Sequence, residues 1–253
     1  MTRPLILVSN DDGYSAPGLH TLRRALATFA DVVVCAPASE QSATSHSISL
    51  NRPLRLWERE PGVFTVDGTP ADCVYVALHA AGRVLPRTPD LVVSGLNHGL
   101  NLGNDVFYSG TVAAAREGAL RGVRAMATSA SLQTDGDAAC AVVAKIAQLV
   151  LGVVPPEVLL LNINFPPGKS WRVRATELGT RVYQDGVHFR NDPRGGEYLW
   201  IGSGGVQHTG NEQSDTAAYD DGDVGVTPLS LQLWAANQQA LTTQIVGELN
   251  RAM

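Results

Sequence analysis

The stretch Leu5-Ile6-Leu7-Val8-Ser9-Asn10-Asp11-Asp12-Gly13 sets the first expectation for the fold. Four apolar residues in a row, without alternation, are typical of a strand that is buried on both faces of a parallel sheet. Two carboxylates, Asp11 and Asp12, come shortly after this strand, at the end where open parallel sheets bind their ligands. The stretch therefore predicts a buried first strand and a polar site at its carboxyl end.

Similar apolar runs recur along the chain, and helical patterns lie between several of them. Strands are predicted at 32–34, 91–93, 125–129 and 158–163, and helices at 17–29, 111–120 and 137–151. Ser15 is expected to cap the first helix, and Pro17 suits its first turn. This order predicts an α/β fold with a Rossmann-like, doubly wound, mostly parallel sheet.

The last third of the chain has a different pattern. Residues 171–228 combine short alternating runs with many turn residues, which predicts β-hairpins, and residues 231–253 have the spacing of a final helix. We therefore expect one domain over 1–253. Within it, 1–167 would form the α/β catalytic core and 168–253 a hairpin-rich C-terminal extension.

Composition excludes several classes of function. The 24 acidic and 19 basic residues give a formal charge of −5, which argues against a broad basic face for long nucleic acids. Three cysteines without a CxxC pair disfavour a disulfide scaffold or a structural zinc site. They fit a cytoplasmic protein, and no apolar stretch is long enough to predict association with a membrane.

Three polar elements follow predicted strands. Asp11-Asp12 offers the oxygen ligands that Mg²⁺ and Mn²⁺ prefer. The run 38–47 is rich in hydroxyls, and the segment 94–105 is rich in glycine and asparagine. Ser109-Gly110-Thr111 then opens a helix whose first N–H groups can receive a phosphate. Each element also has an ordinary interpretation as a turn, a solvated loop or a helix cap.

Together these segments resemble the SurE family of metal-dependent acid phosphatases, also called survival protein E. The resemblance is carried by 6–13, 16–18, 68–74, 94–105, 108–115 and 226–229, in family order. It implies that nucleoside 5′- and 3′-monophosphates are hydrolysed to nucleoside and phosphate. It also implies a homodimer or homotetramer formed through the C-terminal extension.

The same resemblance assigns roles to residues of this chain. It implies one divalent cation per subunit, and Asp11 and Asp12 would also be catalytic. The implied metal ligands are Asp11, Asp12, Ser42 and Asn97, and the implied phosphate pocket is Asn10, Asn101, Ser109, Gly110 and Thr111.

Two other functions remain open at this point. A haloacid-dehalogenase-like phosphatase would use Asp11 as a covalent nucleophile, although such enzymes have DxDx[TV] where this chain has Asn10-Asp11-Asp12-Gly13. A non-catalytic nucleotide-binding module would use the same phosphate cradle without turnover.

Overall fold

A computed structural model describes residues 3–155, 157–183, 186–202 and 205–252. In chain order the strands are β1 (Leu5–Ser9), β2 (Asp31–Pro37), β3 (Leu56–Glu60), β4 (Val63–Val66), β5 (Leu91–His98), β6 (Ala125–Ala130), β7 (Leu160–Phe165), β8 (Val173–Ala175), β9 (Thr180–Tyr183), β10 (Val187–Asn191), β11 (Glu197–Ile201), β12 (Val206–Thr209) and β13 (Val224–Pro228). The α-helices are α1 (Pro17–Leu26), α2 (Pro70–His79), α3 (Gly110–Leu120), α4 (Gly136–Gly152), α5 (Asp215–Asp220) and α6 (Gln239–Ala252).

Nine strands form one sheet in the order β3-β4-β2-β1-β5-β6-β7-β13-β8. The six strands from β4 to β7 in this order pair in parallel, while β3 and β13 pair antiparallel with β4 and β7. Strand order reverses around β1, since β2 lies on one side of it and β5 on the other. The predicted fold class is confirmed.

Helices cover both faces of the sheet, and β1 shows how. Ile6 and Val8 pack in the cluster that includes apolar residues of α1 and α4, whereas Leu5 and Leu7 pack in the cluster that includes α2 and α3. All four side chains are at most 3% exposed. Both faces of β1 are buried, which explains why its sequence is continuously apolar and does not alternate with polar residues.

The boundaries of several elements differ from the sequence predictions. The first helix ends at Leu26, and the prediction that Ser15 caps it is wrong: Ala16 is the N-cap residue and makes no side-chain cap hydrogen bond. The helix begins at Pro17, so the N-cap position falls on residue 16 and Ser15 lies one residue before it. The strand predicted at 91–93 continues to His98, and the one predicted at 158–163 begins at Leu160 and ends at Phe165.

The C-terminal extension is joined to the core through the sheet itself. β13 lies between β7 and β8, and β9 and β12 pair antiparallel around the hairpin of β10 and β11. The tail helix was predicted too long, because 231–235 is not helical and a short 3₁₀ turn at Ala236–Gln238 precedes α6. Met253 lies outside the described residues. Across the described ranges, no helix has the length and apolar character needed to cross a bilayer.

Candidate active site

A cavity of about 630 Å³ lies where β1 and β5 end and α3 begins. This volume is typical of small-molecule sites, which span roughly 300–1,000 Å³. Among the residues predicted for the site, those that line the cavity are Asp11, Asp12, Ser42, Asn97, Asn101 and Ser109. The topology thus brings together residues that are up to 98 positions apart (109 − 11).

Asp11 is the most deeply placed carboxylate of the cavity. It is 6% exposed, and its Oδ1 accepts a hydrogen bond of 2.5 Å from the Thr111 hydroxyl. Burial raises the pKa of Asp11 to about 6; the Thr111 hydrogen bond opposes this rise and the neighbouring Asp12 adds to it. An ionised Asp11 therefore gains free energy from any cation that binds beside it.

Asp12 is half-buried beside it. Burial also raises the pKa of Asp12, while its backbone hydrogen bond with His98 lowers it. Two adjacent carboxylates, both partly desolvated, form a strong site for a positive ion.

Ser42 and Asn97 complete an oxygen-rich donor set. The Ser42 hydroxyl donates to Glu40 Oε1 over 2.7 Å, which leaves its oxygen lone pairs available. The Asn97 side chain donates through Nδ2 to the Gly99 carbonyl over 2.9 Å, so its Oδ1 can act as a ligand. Carboxylate, hydroxyl and amide oxygens are the ligands that Mg²⁺ and Mn²⁺ favour, so these residues fit a hard divalent cation.

The other predicted phosphate-pocket residues lie behind the cavity wall. Thr111 is fully buried and holds Asp11, and Gly110 packs so closely that a Cβ built on it would lie 2.8 Å from the Asp11 Cβ. Asn10 is also fully buried, and its Nδ2 donates to the Gly13 carbonyl over 2.9 Å. In this arrangement all three support the strand end that carries Asp11.

Tyr183 is a cavity residue that the sequence did not indicate. It comes from β9 in the C-terminal extension, and its hydroxyl donates to Asp105 Oδ1 over 2.7 Å, while Arg181 forms an ion pair with the same carboxylate. Tyr108 also lines the cavity and is 67% exposed. The pairing of β9 with Asp105 depends on tertiary structure, so only the aromatic character of Tyr183 could have drawn attention to it.

Carboxylates dominate the charge of the cavity wall, although His98 also lines it and Arg181 pairs with Asp105. The carboxylates of Asp11, Asp12, Glu40 and Asp105 line it, and no Lys or Arg does so within the described part of the chain. This excess of negative charge opposes the entry of an anion and favours a cation bound beside it.

Comparison with known proteins agrees with this architecture. The family described as "Survival protein SurE" matches residues 6–185. A 5′-nucleotidase SurE of Sorangium cellulosum (strain So ce56) is 62% identical over 252 residues, which is 98% of each chain. A protein with the same name from Anaeromyxobacter sp. (strain Fw109-5) is 49% identical over 230 residues, which is 89% of each chain.

A solved structure extends the similarity to three dimensions. The crystal structure of the SurE protein from Aquifex aeolicus matches with a TM-score of 0.83 at 35% identity, and covers 96% of this chain and 99% of its own. Sequence and fold agree over nearly the whole length, so this chain belongs to the SurE family.

Proposed function

We propose that this protein is a divalent-metal-dependent phosphomonoesterase that hydrolyses nucleoside 5′- and 3′-monophosphates to nucleoside and phosphate. Relatives that match it over 89% or more of both chains are named 5′-nucleotidases. The composition of the cavity wall is the observation that supports metal dependence. Carboxylates and neutral oxygen donors line the cavity, and among the described residues no Lys or Arg lines it. A phosphate dianion needs a cation in such a site.

One divalent cation per subunit, Mg²⁺ or Mn²⁺, would be held by Asp11, Asp12, Ser42 and Asn97. When bound, it would offset the charge of the phosphate and orient it. Thr111 keeps the Asp11 carboxylate in place through its hydroxyl. Ser109 caps α3 by accepting the Val112 N–H over 3.1 Å and also lines the cavity, so a phosphate bound there would lie near the positive end of this helix.

The reaction transfers the phosphoryl group to water. A water oxygen would attack phosphorus in line while the bond between phosphorus and the ester oxygen breaks. One proton of the water ends on the ester oxygen, which leaves as a hydroxyl of the nucleoside, and the other stays with the phosphate. The chain contributes by positioning and electrostatics, which supply most of the catalysis in phosphoryl transfer. Asn101 and Ser109 would contact the phosphate oxygens from the cavity wall.

The comparisons do not favour the two alternatives. Relatives named as nucleotidases disfavour a non-catalytic binding module. Membership of the SurE family disfavours a haloacid-dehalogenase-like enzyme, and trapping of a phosphoaspartate on Asp11 would be needed to revive it.

A screen of nucleotides and metals tests the proposal. We expect the purified protein to release phosphate from at least one nucleoside monophosphate with Mg²⁺ or Mn²⁺, and chelation to lower the rate at least tenfold. Adding the metal back should restore activity. Full activity after exhaustive chelation would contradict the role of the metal, and no release from any nucleotide with any metal would contradict the function.

Tyr183 provides a test for recognition of the nucleoside. Its ring lies at the cavity, and stacking of a base on an aromatic ring contributes about 1–3 kcal/mol. We expect Tyr183→Ala to raise KM for a nucleoside monophosphate about tenfold, and Tyr183→Phe, which keeps the ring, to raise it much less. KM for glycerol 2-phosphate, which has no aromatic ring to stack, should change little. Equal changes for both substrates would argue against a nucleoside contact.

The division of the chain and its assembly remain part of the proposal. We propose that 1–167 carries the catalytic residues, with Tyr183 as an addition from 168–253, and that the extension forms a homodimer or homotetramer. Support comes from apolar side chains on the β10–β11 hairpin and α6 that are at least 49% exposed: Val187, Phe189, Leu199, Trp200, Ile201, Leu241, Ile245, Val246 and Leu249. The three free cysteines are buried, in keeping with the cytoplasmic location that we propose.

A further inference from the structure

Two asparagines of β7 lie buried inside the sheet. Asn162 and Asn164 are 0% and 2% exposed, and they share one face of the strand because they are two residues apart. Burying an amide costs free energy unless its hydrogen bonds are made inside the protein. Their partners therefore show what these side chains do.

Both asparagines bind the main chain of one residue, Asn101. Asn164 accepts the Asn101 N–H at Oδ1 over 2.8 Å and donates from Nδ2 to the Asn101 carbonyl over 3.1 Å. Asn162 donates from its own Nδ2 to the same carbonyl over 2.7 Å. The side chain of Asn164 thus binds both polar groups of this residue's main chain, as a neighbouring strand would in a sheet.

The neighbouring strand β6 holds the side chain of the same residue. Asn101 Nδ2 donates to the Ser129 hydroxyl over 2.7 Å, and Ser129 lies opposite Asn164 in the β6–β7 register. Main chain and side chain of Asn101 are therefore fixed from two adjacent strands. Asn101 is 7% exposed and reaches the cavity from this position.

The segment around Asn101 has little regular structure of its own. It lies between Gly99 and Gly103, whose φ angles are +127° and +51°, and it belongs to no strand or helix. Glycine-rich backbone has many conformations available, so a fixed position must be imposed by contacts from outside the segment. Such fixation matters at a phosphate site, because a displacement of about 1 Å can cost about 100-fold in rate.

We propose that Asn164, assisted by Asn162, is a positioning residue that fixes the peptide of Asn101 and thereby keeps the Asn101 side chain at the phosphate. Asn164 itself does not line the cavity. The inference rests on the proposed phosphatase function for its kinetic consequences. The pairing of the Asn101 main chain with Asn164 can be tested without an activity measurement.

The first experiment replaces Asn164 by a residue of similar size that cannot form hydrogen bonds. We expect Asn164→Leu to lower kcat with a nucleoside monophosphate about 30-fold and to change KM less than kcat. Thr227→Val is the matched control: Thr227 lies opposite Asn162 in the β13–β7 register, is 1% exposed, and hydrogen-bonds Thr176 over 2.8 Å. This control should keep kcat within about threefold. Equal losses in the two variants would overturn the proposal.

The second experiment measures hydrogen exchange of the Asn101 amide by NMR. In the wild-type protein we expect slow exchange, although the amide lies in an irregular segment, because it donates to Asn164. In Asn164→Leu the same amide should exchange much faster, while the amides of β1 stay protected. Fast exchange in the wild type would overturn the proposal. Lack of phosphatase activity in the wild type would instead contradict the proposed function and leave this measurement valid.

A conservative variant keeps the test decisive if Asn164→Leu does not fold. In Asn164→Asp the ionised carboxylate accepts from the Asn101 N–H but cannot donate to its carbonyl, whereas the neutral acid can do both. We expect kcat of this variant, divided by the wild-type value at the same pH, to rise at least threefold between pH 8 and pH 5. A ratio that is independent of pH would count against the positioning role.

Discussion

Asp11→Asn is expected to lower kcat about a thousandfold while the protein stays folded. The substitution removes one of two adjacent negative charges at the site where we place the divalent cation, and loss of several kcal/mol of charge stabilisation corresponds to about this factor. The amide preserves the size of the side chain and can still accept the Thr111 hydroxyl that now bonds to Asp11 Oδ1. The local fold therefore has no reason to change.

The same substitution is expected to stabilise the metal-free protein at neutral pH. Since burial raises the pKa of Asp11 from 3.8 to about 6, the folded state holds this proton more tightly than the unfolded state. The stability that Asp11 contributes is therefore present below about pH 4, is lost as the pH rises to about 6, and stays lost above. The loss amounts to about 3 kcal/mol at most. Asparagine has no such dependence, so metal-free Asp11→Asn should unfold at a higher temperature than the wild type at pH 8.

Kinetics, and thermal unfolding with and without metal, check both expectations. Mg²⁺ or Mn²⁺ should raise the Tm of the wild type and leave that of Asp11→Asn nearly unchanged. Asp137→Asn is a suitable control, because Asp137 is exposed in the first turn of α4, and it should change neither property. Turnover near the wild-type level in Asp11→Asn would remove Asp11 from the mechanism.

Gly110→Ala is expected to lower kcat/KM about 100-fold. A Cβ at this position would lie 2.8 Å from the Asp11 Cβ, 3.0 Å from Asp11 Oδ2 and 3.1 Å from the Pro70 Cγ. Neither neighbour can move freely, because Asp11 lies two residues after the end of β1 and Pro70 is the first residue of α2. The added methyl group must therefore displace the Asp11 carboxylate or the start of α3, and overpacking of this kind also costs about 1–3 kcal/mol of stability.

Gly136→Ala is the matched control for this prediction. Gly136 is likewise the first residue of its helix, behind an N-cap side chain, and a Cβ built on it meets nothing within 4 Å. We expect this variant to keep full activity and to gain up to about 1 kcal/mol of stability, since alanine restricts the unfolded chain more than glycine does. Steady-state kinetics and denaturant unfolding of both variants decide the matter. Equal activity in the two would mean that the close approach at Gly110 has no role in catalysis.

Local patterns were sufficient to predict the central part of the sheet. The apolar run at 5–8 is buried on both faces, and the polar residues after it do lie at the cavity. The helices predicted at 111–120 and 137–151 are present to within a residue at each end. These features succeed because burial on both faces and helical periodicity are properties of short segments.

Features that depend on distant partners could not be predicted in this way. Trp57, Glu58 and Arg59 in β3 are polar or exposed, and the strand exists because β4 pairs with it at the edge of the sheet. Asn164 is a polar residue in a mostly apolar strand, and its hydrogen-bond partner Asn101 lies 63 positions away in the sequence. Its role follows from the register of β6 and β7, which the spacing of residues does not encode.

The antiparallel strand β13 constrains how this chain can be synthesised. Gly225 pairs with Asn164, 61 positions earlier (225 − 164), so β7 leaves the ribosome long before its partner. At about 5–20 residues per second, this edge of the sheet stays uncovered for roughly 3–12 seconds. An open strand edge is a template for association with other chains. A nascent chain of this protein thus passes through a period of vulnerability that ends when residues 224–228 arrive, and a product that terminates before them keeps the edge open permanently.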